Sequence, residues 1–75
     1  MNDTDLLTLA TDLVDAEPGA LSMTDRLADI GWDSLSSAMF IAEADSVCGV
    51  IVDAAALGRC VTLADVQALT SPVGA

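Results

Sequence analysis

The sequence predicts an all-α fold: a small four-helix bundle of three main helices and one short helix, with a long loop between the first two. Three observations predict it. Apolar residues recur at helical spacing in four stretches, helix-starting and helix-ending residues flank these stretches, and 53% of the 75 residues are hydrophobic. A chain of this length forms one domain, which we assign to residues 1–75 with a core at about 4–70.

The first predicted helix lies near the N-terminus. Asn2 or Thr4 can cap its start, and Pro18-Gly19 is expected to end it. The apolar residues that recur at spacings of three and four in this stretch are Leu6, Leu7, Leu9, Ala10, Leu13 and Val14.

A long connection then runs from about Glu17 to Trp32. Connections of this length in a small domain are usually functional or have local order of their own. Ser22 and Asp25 have the spacing of a capping box. Three apolar residues are expected to hold the loop against the core: Leu21, Leu27 and Ile30.

The second predicted helix begins at Asp33 or Ser34 and runs to about Cys48, where Gly49 stops it. Adjacent helical residues point about 100° apart, so Met39 and Phe40 cannot both be buried, and we expect Phe40 in the core. The residues expected to face inward are Leu35, Ala38, Ile41 or Ala42, and Val47 or Cys48.

Two shorter helices complete the prediction. One spans Asp53–Leu57, with Asp53 as its cap and Gly58 as its terminator. The last opens with a capping box at Thr62–Asp65 and closes at Ser71-Pro72. It has three apolar residues on one face: Leu63, Val66 and Leu69. Val50-Ile51-Val52 has strand-forming composition, but a lone strand would have no pairing partner.

Charge restricts the function. Two basic residues oppose twelve acidic ones, giving a formal net charge of −10, which disfavours nucleic acid and anionic membranes as partners. The chain contains no histidine, so it cannot form the usual serine or cysteine catalytic triad, and we expect a non-enzymatic protein. The acidic N-terminal residues do not resemble a secretory signal and no apolar run is long enough to span a bilayer, so we expect a cytoplasmic location. We also expect a monomer.

The segment from Gly31 to Leu35 carries the strongest candidate site. Ser34 lies where the long loop meets the second helix, and the amides and dipole of a helix N-terminus favour an added anion. Gly31 permits a tight turn before it, Asp33 can cap the helix, and Leu35 can point inward to anchor the start. This arrangement suits a serine hydroxyl that must be exposed and must tolerate a phosphodiester.

Gly31-x-Asp33-Ser34-Leu35 resembles the phosphopantetheine-attachment motif of acyl and peptidyl carrier proteins. The similarity extends through Leu27–Gly31 upstream, and through the second helix, Ile51–Asp53 and Thr62–Val66 downstream, covering about residues 4 to 70. The resemblance implies a carrier that a phosphopantetheinyl transferase modifies at Ser34 with the 4'-phosphopantetheine arm of coenzyme A. The arm would carry acyl or aminoacyl groups as thioesters in polyketide, non-ribosomal peptide, fatty acid or related biosynthesis.

The partners implied are the transferase and the enzymes that load or use the cargo: an adenylating enzyme, an acyltransferase or a ketosynthase. Fatty-acid carriers have acidic residues just after the serine, whereas this chain has Ser36–Phe40 there, which favours apolar recognition. Peptidyl carriers usually have histidine where this chain has Asp33, so the subfamily stays open. The residues expected to contact partners are Trp32, Met39 and Glu43, although Trp32 could instead pack on the loop.

Two alternatives remain open. The chain could be an unmodified helical interaction or regulatory domain with the carrier fold, rather than a modified carrier.

The state of the two cysteines is also open. The thiols of Cys48 and Cys60 are expected to be free and buried, or to form a disulfide if the second helix ends near the start of the fourth. No metal site is expected, because two cysteines without histidine cannot complete a typical zinc site.

Overall fold

Four α-helices follow one another along residues 1–70, the part of the chain that the computed structural model describes. They are α1 (Asp3–Leu13), α2 (Ser34–Cys48), α3 (Ala54–Gly58) and α4 (Leu63–Thr70). Consecutive helices pack against each other, and a 3₁₀ turn at Leu27–Asp29 lies within the long connection. The predicted all-α fold is confirmed. The predicted terminator Ser71-Pro72 lies outside the described residues.

Side-chain caps account for where the helices begin. Asn2 and Asp5 form a capping box at α1, in which the Asn2 side chain accepts from the Asp5 amide at 2.7 Å. Asp53 accepts from the Ala56 amide at the start of α3. Thr62 and Asp65 form the capping box predicted for α4.

The end of α1 was predicted too far along the chain. The helix stops at Leu13, well before Pro18-Gly19, and Asp15 has a positive φ of 55°. Asp tolerates this left-handed conformation better than most residues, because its short polar side chain can bond locally. The long connection therefore begins earlier than expected.

Backbone hydrogen bonds hold the long connection on the start of α4. The Leu27 amide donates to the Val61 carbonyl at 2.9 Å, and the Leu63 amide donates to the Asp25 carbonyl at 3.1 Å. The Ala64 amide donates to the Met23 carbonyl at 2.9 Å. First-turn amides have no acceptor within their own helix, so the loop satisfies donors that α4 would otherwise leave free.

The core forms where this loop meets the four helices. Leu27 is buried there, and Leu21 and Ile30 are half-buried against it, as predicted. No strand is present within residues 1–70, and in the Val50–Val52 segment Val52 is buried while Ile51 is 88% exposed. The buried apolar residues are Leu6, Ala10, Leu27, Phe40, Ala44, Val52, Leu57, Leu63 and Val66.

The predicted inward face of α2 was wrong in part. The buried residues are Ser36, Phe40 and Ala44, each four residues after the last, with Ile41 and Cys48 half-buried beside them. This row is one side of a helix by the α-helical period. Leu35 and Ala38, expected to face inward, are exposed. Of the residues predicted as alternatives, Ile41 and Cys48 are the half-buried ones, and Ala42 and Val47 are exposed. Phe40 is fully buried and Met39 is 45% exposed, as predicted.

The two cysteines are free, and each is half-buried rather than buried. Burial is the main cause that raises the pKa of the Cys60 thiol, and the nearby Asp65 carboxylate adds to it. None of the helices within residues 1–70 combines the length and the apolar composition required to cross a membrane.

Candidate functional site

Ser34 is exposed and is the first residue of α2. Because it lies in the first turn, its backbone amide and that of Leu35 have no acceptor within the helix. These amides, with the helix dipole, give the surroundings of the hydroxyl a partial positive character. Both properties required of the predicted site, exposure and placement at a helix start, are therefore present.

Asp33 caps α2 and fixes the residue before the serine. Its Oδ1 accepts from the Ser36 amide at 2.9 Å and from the Ser36 hydroxyl at 3.1 Å. The hydrogen bond from the Ser36 amide is the main cause that lowers the pKa of Asp33 below its usual value of 3.8. The hydrogen bond from the Ser36 hydroxyl is the next largest cause. The Asp33 carboxylate is therefore favoured in its ionised form, because the Ser36 amide and hydroxyl both donate hydrogen bonds to it.

Trp32 joins the end of the loop to the inner side of α2. Its Nε1–H donates to the Ser37 hydroxyl oxygen at 2.9 Å. Its ring lies 5.7 Å from that of the buried Phe40, centroid to centroid, at an angle of 60°. Trp32 is half-buried, so it packs in the structure of the loop and still keeps part of its ring exposed.

Gly31 provides the turn that brings these residues to the helix. It has a φ of 82°, a conformation that costs glycine little and other residues more. The Trp32 amide then donates to the Leu27 carbonyl at 3.1 Å, which ties this turn to the 3₁₀ segment and hence to the core. The backbone just before Ser34 is therefore held to the 3₁₀ segment by the Trp32 amide and to α2 by the Asp33 cap.

Leu35 does not anchor the start of α2, because its side chain is 67% exposed rather than turned inward. The anchoring is done by the buried Ser36, which is hydrogen-bonded to Asp33, and by Trp32. Leu35 instead begins an exposed apolar strip on the outer side of α2. We call this strip the outer face, and it consists of Leu35, Ala38, Met39 and Ala42.

The predicted partner-contact residues lie in three different places. Met39 belongs to the outer face, one turn after Leu35, and Trp32 lies at the loop end. Glu43 is exposed nine residues after Ser34, about 13 Å along the axis of α2 at 1.5 Å per residue. It lines a groove between α1 and α2, away from the serine.

Ser36 and Ser37 were not recognised as part of the site from the sequence. One signal was available for Ser36, because an N-cap aspartate usually accepts from the amide three residues later. For Ser37 no local signal exists, since its bond to Trp32 depends on how the loop folds back. Both serines would ordinarily be assigned to the surface.

A histidine base or a metal ion is the usual means of activating a serine hydroxyl. The sequence contains no histidine that could act as a base for Ser34. Within residues 1–70, no three His, Cys, Asp or Glu side chains converge on a position that could hold a metal ion. Comparison of the chain with models of protein families, with curated proteins and with solved structures found no match.

Proposed function

We propose that this protein is a carrier that holds acyl or aminoacyl intermediates as thioesters on a 4'-phosphopantetheine arm attached to Ser34. A phosphopantetheinyl transferase would supply the arm from coenzyme A. In that step the serine oxygen forms a bond to the phosphorus next to the pantetheine, and adenosine 3',5'-bisphosphate leaves. The cytoplasm is the expected location, and polyketide, non-ribosomal peptide or related biosynthesis is the expected setting.

One observation carries the proposal: Ser34 is an exposed hydroxyl on the first residue of a helix, directly after a fixed turn. A transferase must reach this oxygen, and the arm must then swing away from the surface into the sites of other enzymes. A hydroxyl on a fixed base meets both requirements. The motif around it, from Gly31 to Leu35, resembles that of carrier proteins.

The electrostatic surroundings suit a phosphodiester at this position. The Asp33 carboxylate is close, and its repulsion would oppose a second negative charge. However, its Oδ1 already accepts two hydrogen bonds from Ser36. The amides of the first turn, which have no acceptor within the helix, lie beside the serine. Because the arm is attached covalently, the site needs only to tolerate the charge and need not bind it tightly.

The outer face supports recognition by partner enzymes through apolar contact. Leu35 and Met39 are 67% and 45% exposed, and they adjoin Ser34 on α2. Exposed apolar side chains in a contiguous patch are typical of interaction sites. An enzyme that contacts this strip would receive the arm close to its own active site.

An unmodified interaction domain is the second candidate, and the same outer face favours it, since an apolar surface can bind partners without any arm. The two candidates differ in a single chemical event at Ser34. A modification assay therefore separates them.

The experiment exposes the purified chain to a broad-specificity phosphopantetheinyl transferase with coenzyme A and Mg²⁺, followed by intact-mass analysis. We expect one phosphopantetheine to be added to the chain and none to be added to Ser34→Ala. Ser46→Ala is the matched control, because Ser46 is another exposed serine of α2, and this variant should be modified fully. An unmodified chain after treatment would favour the second candidate, and addition at another residue would exclude Ser34 as the attachment point.

A further inference from the structure

A groove of about 440 Å³ opens between α1 and the C-terminal half of α2. Its volume lies in the range of ordinary ligand sites, but it is partly open to solvent rather than enclosed. The lining residues are Met1, Asp5, Thr8, Leu9, Asp12, Glu43, Val47 and Cys48.

Val47 shows that the inner side of α2 is left uncovered in this groove. It lies seven residues after the fully buried Phe40, which places the two side chains nearly on the same side of α2. Yet Val47 is 73% exposed. The buried row of α2 therefore continues into the groove, where the rest of the described chain does not cover it.

The rim of the groove is acidic. Asp5 and Asp12 lie two turns apart on α1, and Glu43 lies opposite them on α2; all three are exposed. Neither of the two arginines of the chain lines the groove, and the Met1 ammonium is a single positive charge against three carboxylates. The apolar side chains and the carboxylates that line the groove complement a helix with aliphatic residues on one side and basic residues beside them.

We propose that this groove binds a basic amphipathic helix of a partner protein. An aliphatic side chain of that helix packs on Val47 and Leu9, and its Lys or Arg residues pair with Asp12 and Glu43. A second copy of this chain is a poor occupant, because its net charge of −10 would oppose the acidic rim.

This site is separate from the outer face and does not depend on the modification of Ser34. At 100° per residue, Val47 lies about 120° around α2 from Leu35. One partner could therefore occupy the groove while an enzyme contacts the outer face. The role assigned to the groove is to hold the carrier near a partner, whether or not the arm is attached.

The test uses two fluorescein-labelled peptides of about 14 residues, roughly 21 Å of helix, composed of Leu and Lys in the same proportions. One has Leu at helical spacing, and the other has Leu and Lys in strict alternation, which prevents a helical apolar face. Fluorescence anisotropy measures the affinity, and ¹⁵N–¹H spectra of the labelled protein locate the contact. We expect the helical peptide to bind more tightly and to shift the amide signals of Leu9, Asp12 and Val47.

Variants of the protein measure how much the apolar contact and the carboxylates each contribute to peptide binding. Val47→Asn should weaken binding about tenfold through loss of apolar contact, whereas Val61→Asn, at another exposed valine, should change it less than about twofold. The double variant Asp12→Asn/Glu43→Gln should weaken binding roughly fivefold. Asp29→Asn/Asp45→Asn removes the same charge outside the groove and should have a smaller effect.

Several results would overturn the proposal. Equal affinity for the two peptides, or equal losses in the two double variants, would mean that net charge alone attracts the peptide. Shifts centred on Leu35 and Met39 would move the contact to the outer face. A dimer in sedimentation that Val47→Asn dissociates would assign the groove to a second copy. Ser34→Ala should bind the peptide like the unchanged protein, so failure of the carrier proposal and failure of this one are distinguishable.

Discussion

The two ends of α2 are built differently. At its start, side chains use the polar groups of the first turn: Asp33 accepts from Ser36, and Trp32 donates to Ser37. At its end, only backbone groups close the helix, with the Gly49 and Val50 amides donating to carbonyls of Asp45 and Ala44. The inner side is covered at the start and open at Val47.

Under the two proposals made above, this difference would serve two separate uses of one helix. A hydroxyl that another enzyme must modify benefits from a fixed base, because its position is then the same in every encounter. An exposed apolar side chain can contribute to binding, because a partner that buries it removes apolar surface from water. The start of α2 is thus suited to chemistry at Ser34, and its end is suited to association.

The largest expected effect is on stability and compares two residues of the same side of α2. Phe40→Ala should reduce the free energy of unfolding by about 3–5 kcal/mol, because it opens a cavity in a small core. Val47→Ala should change it by less than about 0.5 kcal/mol, because the side chain is exposed. Urea unfolding followed by circular dichroism measures both values.

Phe40→Leu is the second variant to measure if Phe40→Ala does not fold. It keeps an apolar side chain of intermediate size, so it should fold and lose less stability than Phe40→Ala. A loss in Val47→Ala that matched the loss in either Phe40 variant would contradict the view that the end of α2 is uncovered.

The bounds of α2 could be predicted from the sequence, but its buried side could not. Asp33 and Gly49 are local signals, and each acts on its own neighbours through capping or a positive φ. By contrast, apolar residues surround α2, since Leu35 and Met39 lie on the outer face and Phe40 is buried on the opposite side. Periodicity then gives no preferred side, and packing with α1 and α3 decides which residues are buried.

The same distinction applies to the candidate site. The position of Ser34 at a helix start follows from the cap, so it could be predicted. The bond between Trp32 and Ser37 depends on the path of the loop, and that path is fixed by distant contacts such as the Leu27 amide with the Val61 carbonyl. Such contacts leave no pattern in neighbouring residues. This is why the contribution of Trp32 and Ser37 to the start of α2 could not be predicted.

A smaller difference in stability is expected between the two ends of α2 when one serine at each end is replaced by alanine. Ser37→Ala leaves the half-buried indole N–H of Trp32 without its acceptor and should cost about 1 kcal/mol. Ser46→Ala, at the exposed end, should cost less than about 0.5 kcal/mol. Trp32 is the single tryptophan of the chain, so its fluorescence reports on the start of α2 alone. We expect a red shift in Ser37→Ala and an unchanged spectrum in Ser46→Ala; equal spectra would mean that the bond does not hold the ring.

The smallest expected effect is a local response to pH, because the start of α2 depends on a carboxylate and its end does not. Hydrogen bonds from Ser36 hold the pKa of Asp33 below 3.8, so the cap stabilises the folded state above that pH and loses this contribution as the pH falls through the lowered pKa. In a ¹⁵N–¹H titration, the Ser36 amide signal should therefore move with a midpoint below 3.8. The Val50 amide, which donates to the Ala44 carbonyl, should not follow this midpoint. Asp33→Asn keeps a capping side chain without a titrating group and should abolish the Ser36 transition. A midpoint at or above the ordinary value, or the same transition at Val50, would show that the two ends are not independent.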